Sequence, residues 1–148
     1  MDRLRRRLEH ALAGGGTTEG FAECGTGGDI GYGLDGVADA SVDVVYCTVV
    51  FMHLESWDRY NYVLEAFRVL RPKGRIYVDN INLCSDGGWK VFEDHRAFLP
   101  ANRPPHMTHN STPQEIETYL KRAGFSDVRV RTDDDWVRAS GMKREENP

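Results

Sequence analysis

Residues Phe21 to Gly33, FAECGTGGDIGYG, hold the densest group of residue types suited to binding. A short apolar start, an acid at Glu23 and glycines at Gly25, Gly27 and Gly28 suggest a glycine loop at a strand end. In open α/β sheets such a loop lets backbone amides approach a nucleotide-type cofactor. His106 and His109 form an H-x-x-H pair, but no third ligand accompanies them, and zinc sites need three or four. Cys24, Cys47 and Cys84 are too few and too scattered for a disulfide framework, so reduced thiols in a cytoplasmic protein are expected.

The bulk properties narrow the field. A chain of 148 residues is one domain, and its net charge of −4 gives no reason to expect a nucleic acid as partner. Arg3 and Arg5 to Arg7 form a basic cluster that reads as the solvated face of a helix. No apolar run approaches the ~20 residues that span a bilayer. The start MDRLRRRLEHALAGGG has no apolar core of a secretory signal.

Helix-sized and strand-sized units alternate along the chain, which predicts an α/β fold with a largely parallel sheet. Arg3 to Ala13 reads as a short helix with Leu4, Leu8 and Leu12 on one face. Gly20 to Cys24 suits a short strand. SVDVVYCTVVF, Ser41 to Phe51, is apolar on both parities, as in a strand buried on both faces. Ser56 is placed to cap a helix whose apolar face is Tyr60, Val63, Leu64, Phe67 and Leu70. Pro72 and Gly74 stop it, and RIYVDNI, Arg75 to Ile81, is a second buried strand. A polar stretch with several aromatics, Asn82 to Asn110, reads as a substrate lid or as a small packed insertion. Thr112, Pro113 and Glu115 then make a capping box, with Ile116, Tyr119, Leu120 and Ala123 on the apolar face and Gly124 as the stop. Ser126 to Arg131 alternates as a strand, Asp133–Asp135 turns, and Trp136–Arg138 pairs back.

Taken together, SVDVVYCTVVFMHL, EAFRVLRPKGRIYVDN and STPQEIETYLKRAGFSDVRV resemble the C-terminal half of class I S-adenosylmethionine-dependent methyltransferases, most closely the type-11 group of small-molecule enzymes. The resemblance runs from Ser41 to Arg131. It implies a Rossmann-like methyltransferase fold with helices on both faces of the sheet, and S-adenosylmethionine as cofactor.

That family order tests the opening loop by counting. Two strands and three crossovers separate the family's first glycine loop from the strand matched by SVDVVY. Each parallel crossover takes a dozen or more residues and each strand ~5–6, on the order of 45 in all. Asp29 to Ser41 is 13 residues, room for one short connection. The resemblance therefore implies that FAECGTGGD is the third strand and its adenine-side loop, with Gly27, Asp29 and Ile30 against the adenine; the alternative is a degenerate first-strand loop. Residues 1–40 are then a remnant of the cofactor-binding half, 41–138 the C-terminal half, and 139–148 a tail. On that view the domain is N-terminally incomplete, and the strand at 41–51 is an open apolar edge for a second copy or a complementing N-terminal chain.

Ligands on such sheets sit beyond the carboxyl ends of the strands. The resemblance puts Cys47, Thr48 and Val49 under the cofactor's methionyl part and Asp79-Asn80 toward the methyl acceptor. Methyl transfer is an in-line displacement, so alignment matters most and a base is needed only where the nucleophile must lose a proton. Asp79 and His95 are the candidates for that base; His53 reads as a buttress of the loop after its strand. The Asp/Asn-Pro-Pro-aromatic motif of enzymes that methylate the exocyclic amines of bases is replaced by CTVVF, favouring a small-molecule acceptor. Two functions follow: a small-molecule methyltransferase or part of one, and a non-catalytic remnant serving as an interaction or regulatory partner.

Overall fold

The computed structural model describes residues 21–22, 34, 36–104 and 107–145. Its elements are β1 (Phe21–Ala22), β2 (Val42–Cys47), a 3-10 turn (Phe51–His53), α1 (Ser56–Val69), β3 (Leu70–Ile81), α2 (Asp86–Arg96), α3 (Pro113–Arg122), β4 (Ser126–Asp133) and β5 (Trp136–Met142). They form a sheet in the order β1-β2-β3-β5-β4. The first three strands run parallel, and β5 is antiparallel to both β3 and β4.

Two faces of this sheet differ. Val45, Cys47, Ile76, Val78, Val137 and Ala139 are buried together with Val63, Ala66 and Val69 of α1 and Ile116 and Leu120 of α3. On the other face Tyr46 and Tyr77, paired across β2 and β3, remain exposed. The valine run expected to be buried on both sides instead buries Val45 and Cys47, with Val42 across a register shift, and leaves Tyr46, Thr48 and Val49 exposed. Along α1, Leu64 is exposed and Ala66 and Val69 take the core side, a rotation of the predicted stripe.

Phe21 and Ala22 pair directly with Val44 and Val45. This corrects two expectations. The segment is not two strands away from β2, and the edge at 41–51 is not open along those two residues. Residues 23–41 are long enough for the one parallel crossover that this pairing needs. The predicted helix over Arg3–Ala13 lies outside the described residues.

The RPKG turn is an excursion inside β3. Val42 pairs with Leu70 and Val44 with Arg75, so residues 71–74 bulge out, and Lys73 takes a φ of 69° at the corner. Lys143 closes that corner: its amide donates to the Gly74 carbonyl and its carbonyl accepts from Lys73. Its buried ammonium donates to the carbonyls of Phe67 (2.7 Å) and Leu70 (2.8 Å), neutralising the C-terminal end of α1. The expected tail thus begins too early at residue 139, because Ala139 to Met142 are strand.

Asn82 to Asn110 contains a helix the sequence pattern hides. Ser85 caps α2, accepting from the Gly88 amide at 3.0 Å, but DGGWK opens it with two glycines of low helix propensity. Gly88 is needed there: a Cβ would stand 1.8 Å from the Asn82 carbonyl oxygen. Glu55, not Ser56, occupies the cap position of α1, without a side-chain bond. Thr112 caps α3 as expected, and Gly124 ends it with a φ of 101°.

Arg59, 2% exposed, holds the end of the sheet to the chain before α3. Its Nε donates to the Phe51 carbonyl (2.9 Å); its Nη atoms donate to Ser111 Oγ (2.5 Å), Glu115 Oε1 (3.1 Å) and the His109 carbonyl (2.6 Å). Asn80, fully buried at the end of β3, donates to the same His109 carbonyl and Ser111 hydroxyl. Truncating Arg59 strands several buried acceptors at once, so Arg59→Ala is expected to lower stability by about 3 kcal/mol in urea denaturation. A loss below ~1 kcal/mol, the range of a solvent-exposed pair, would contradict this account.

Candidate functional site

Of the residues the sequence nominates, Gly27, Asp29 and Ile30 lie outside the described residues. The others fall at two places. β2 and β3 are parallel neighbours, with Cys47 opposite Val78, so their carboxyl ends open at the same edge of the sheet. Cys47 turns its side chain into the core, which leaves its backbone for any ligand contact. Thr48 and Val49 follow it, both exposed.

Val49 adopts a φ of 59°, in the left-handed region that a β-branched side chain disfavours. Its amide donates to Asp79 Oδ1 at 2.6 Å. The carboxylate at the end of β3 thus holds the main chain beyond β2 in a strained turn, an arrangement that persists only where surrounding contacts enforce it. Burial pushes the Asp79 carboxyl above the usual carboxylate range, while the Val49 amide and the Arg138 guanidinium pull it partly back. Asn80, beside it, has both its polar atoms engaged: Nδ2 as above, and Oδ1 accepting from the Ile81 amide at 2.9 Å. It supports the site and has little capacity left for a ligand.

His95 sits elsewhere. It lines a cavity of about 580 Å³, within the range of small-molecule sites, to which neither Asp79 nor residues 47–49 contribute. Its Nδ1 lies 2.8 Å from the Val91 carbonyl, an acceptor only. That bond fixes the proton of a neutral ring on Nδ1 and leaves the lone pair on Nε2. His109 shares the cavity, with Nε2 3.7 Å from Glu55. His53 ends the 3-10 turn, its amide donating to the Val50 carbonyl. No group of three His, Cys, Asp or Glu among the described residues is placed to hold a metal ion. No helix among them is long and apolar enough to cross a membrane.

Sequence reasoning passed over Arg59, Glu115, Arg103 and Asn110, all on the cavity wall. Isolated polar residues in a helix or loop carry no periodic signal, and only tertiary packing brings Arg103 and Asn110 to α1 and α2.

A family model described as a methyltransferase domain matches residues 24–78, which covers β2, α1 and most of β3. A protein of Mycolicibacterium smegmatis named as a probable S-adenosylmethionine-dependent methyltransferase is 39% identical over 87 residues, 59% of this chain and 30% of that protein. A SAM-dependent methyltransferase of Thermotoga maritima, a possible histamine N-methyltransferase, superimposes with a TM-score of 0.60 at 16% identity, over 73% of this chain and 58% of its own. Phosphoethanolamine N-methyltransferase 2 of Haemonchus contortus, in complex with S-adenosyl-L-methionine, gives 0.55 at 13% identity over 74% and 35%. The chain is thus similar to S-adenosylmethionine-dependent methyltransferases and shares their fold.

It spans less than a third of the curated relative it matches. The family model ends at Val78, so Asp79 and the cavity wall from Leu83 onward lie beyond the stretch it covers, while Glu55, Ser56 and Arg59 lie within it. The Val49–Asp79 contact is the feature of the strand ends open to direct test. A carboxyl whose pKa is raised in the fold costs stability as pH rises: the fold is undisturbed below the unfolded value near ~3.9 and loses stability as pH climbs through the raised one. Asp79→Asn keeps an acceptor for the Val49 amide and removes the ionisation. Its stability is expected to match wild type at pH 3 and to equal or exceed it at pH 7, by chemical denaturation at both values. An Asp79→Asn chain clearly less stable than wild type at pH 7 would contradict the burial argument.

Proposed function

We propose that this chain is part of an enzyme that transfers the methyl group of S-adenosylmethionine to a small molecule. The observation that carries the proposal is the pairing of Asp79 with the left-handed Val49 at the shared carboxyl edge of β2 and β3. Nothing in the fold requires strain at that point. Its use is to present the main chain of Thr48 and Val49 outward, where both residues are exposed and a ligand can lie against them.

The residues present fit such a cofactor. The exposed amides and carbonyls after β2 would line its methionyl part, and Asp79 fixes their orientation. When bound, the cofactor supplies an electrophilic methyl group on a sulfonium, so no side chain has to form a covalent bond. The chain's work is alignment: rigid strand ends on a packed core hold the reacting groups in line. For an acceptor that must lose a proton, Asp79 is a carboxyl whose raised pKa brings it nearer the range of a useful base. His95, with Nε2 carrying the lone pair, is the other. A small-molecule acceptor is supported by the cavity beside α2 and by the absence of the base-methylating motif after β2.

Calorimetry with S-adenosylhomocysteine tests the proposal. Saturable binding is expected, with Asp79→Ala weakening it about tenfold, the loss of one charge-assisted hydrogen bond that shapes the site. The glycine-loop region contributes separately, so affinity weaker than that of full-length relatives is compatible. No binding at millimolar ligand by a folded chain would overturn it.

A further inference from the structure

The cavity beside α2 carries charge that the fold leaves unused. Glu115 accepts from Arg59 (3.1 Å) and from the Tyr119 hydroxyl (2.7 Å). Glu55 faces His109. Beside these acids stand two cations. Arg96 has only Glu93, 3.7 Å away on its own helix, with both side chains about half or more exposed, a pair worth little in water. Arg103 has no ion pair or hydrogen bond among the described residues. Both line the cavity.

A second observation comes from the opposite chemistry. Asn110 donates through Nδ2 to the Gly88 carbonyl at 2.6 Å, which fixes its amide orientation. Its Oδ1 is then buried with no donor, the single such side-chain atom among the described residues. A buried acceptor without a donor is costly, and natural folds keep few of them. Asn110 also lines the cavity, its Oδ1 turned away from the open space, and Leu83, Phe92 and Met107 give the cavity an apolar wall.

We propose that this cavity binds the methyl acceptor, and that the acceptor is a small oxyanion with an apolar body. This rests on the methyltransferase assignment for the word acceptor, but the binding itself does not. A carboxylate or phosphate pairs with Arg96 and Arg103, whose guanidinium forks match either group. The apolar body covers Phe92 and its neighbours.

Three probes separate these features: 3-phenyllactate for a carboxylate, phenyl phosphate for a phosphate, and 3-phenyl-1,2-propanediol as the uncharged counterpart. Titration of the chain by calorimetry is expected to show one or both anions binding at least about tenfold more tightly than the diol, with affinity falling as salt is raised. Which anion binds more tightly identifies the class of oxyanion. Arg103→Ala and Arg96→Ala, both on exposed side chains, are each expected to weaken anion binding about tenfold. Equal binding of the diol and the anions, binding unchanged in both variants, or no binding of any probe would overturn the proposal. S-adenosylhomocysteine binding is read separately: its presence without anion binding sinks the acceptor cavity alone, and the reverse sinks the methyltransferase assignment while leaving an anion site.

Discussion

A nearly buried guanidinium organises the end of this molecule beyond the carboxyl ends of β2 and β3. Arg59 is 2% exposed and is tied to acceptors from the 3-10 turn, from residues 109 and 111, and from α3. Buried charge is tolerated only when fully paired, so the segments around it cannot move independently. Ser111 is shared with Asn80 at the end of β3, and Asn82 bridges to Ser111 through the backbone. One cation therefore fixes the floor of the cavity, the end of the central strand and the entry to α3.

The strand-end site depends on that rigidity. β3 is paired on both sides, by β2 and β5, so Asp79 sits on backbone that cannot yield. It can hold Val49 in a left-handed turn at a cost of order 1–3 kcal/mol because the sheet beneath it is anchored. The cavity carrying His95, Arg96 and Arg103 is a separate unit formed by α2 and the chain before α3. The molecule thus divides its chemistry between an edge that presents main chain and a pocket that presents charge.

Much of this was legible in the residues. VDVVYC, RIYVDNI and the Thr112 cap announce their elements through local pattern, and Gly124 marks its stop because only a residue without Cβ takes that φ easily. What was hidden lay in long-range terms. The two glycines of α2 masked a helix held by Ser85 and Asn110. The length of residues 23–41 excluded three crossovers, yet it did not reveal that Phe21–Ala22 would pair with β2 itself. Asp79 was nominated by family resemblance, but its bond to a strained Val49 has no signature in sequence. The cavity's cations come from positions 96 and 103, brought together only by tertiary packing.

The most direct test of the account is a ¹H–¹⁵N spectrum of the chain titrated with S-adenosylhomocysteine. The amides of Thr48 and Val49, with that of Asp79 across the strand pair, are predicted to shift most and to saturate together. Shifts confined to other parts of the chain, or an unchanged spectrum at millimolar ligand, would contradict a cofactor site at the shared ends of β2 and β3.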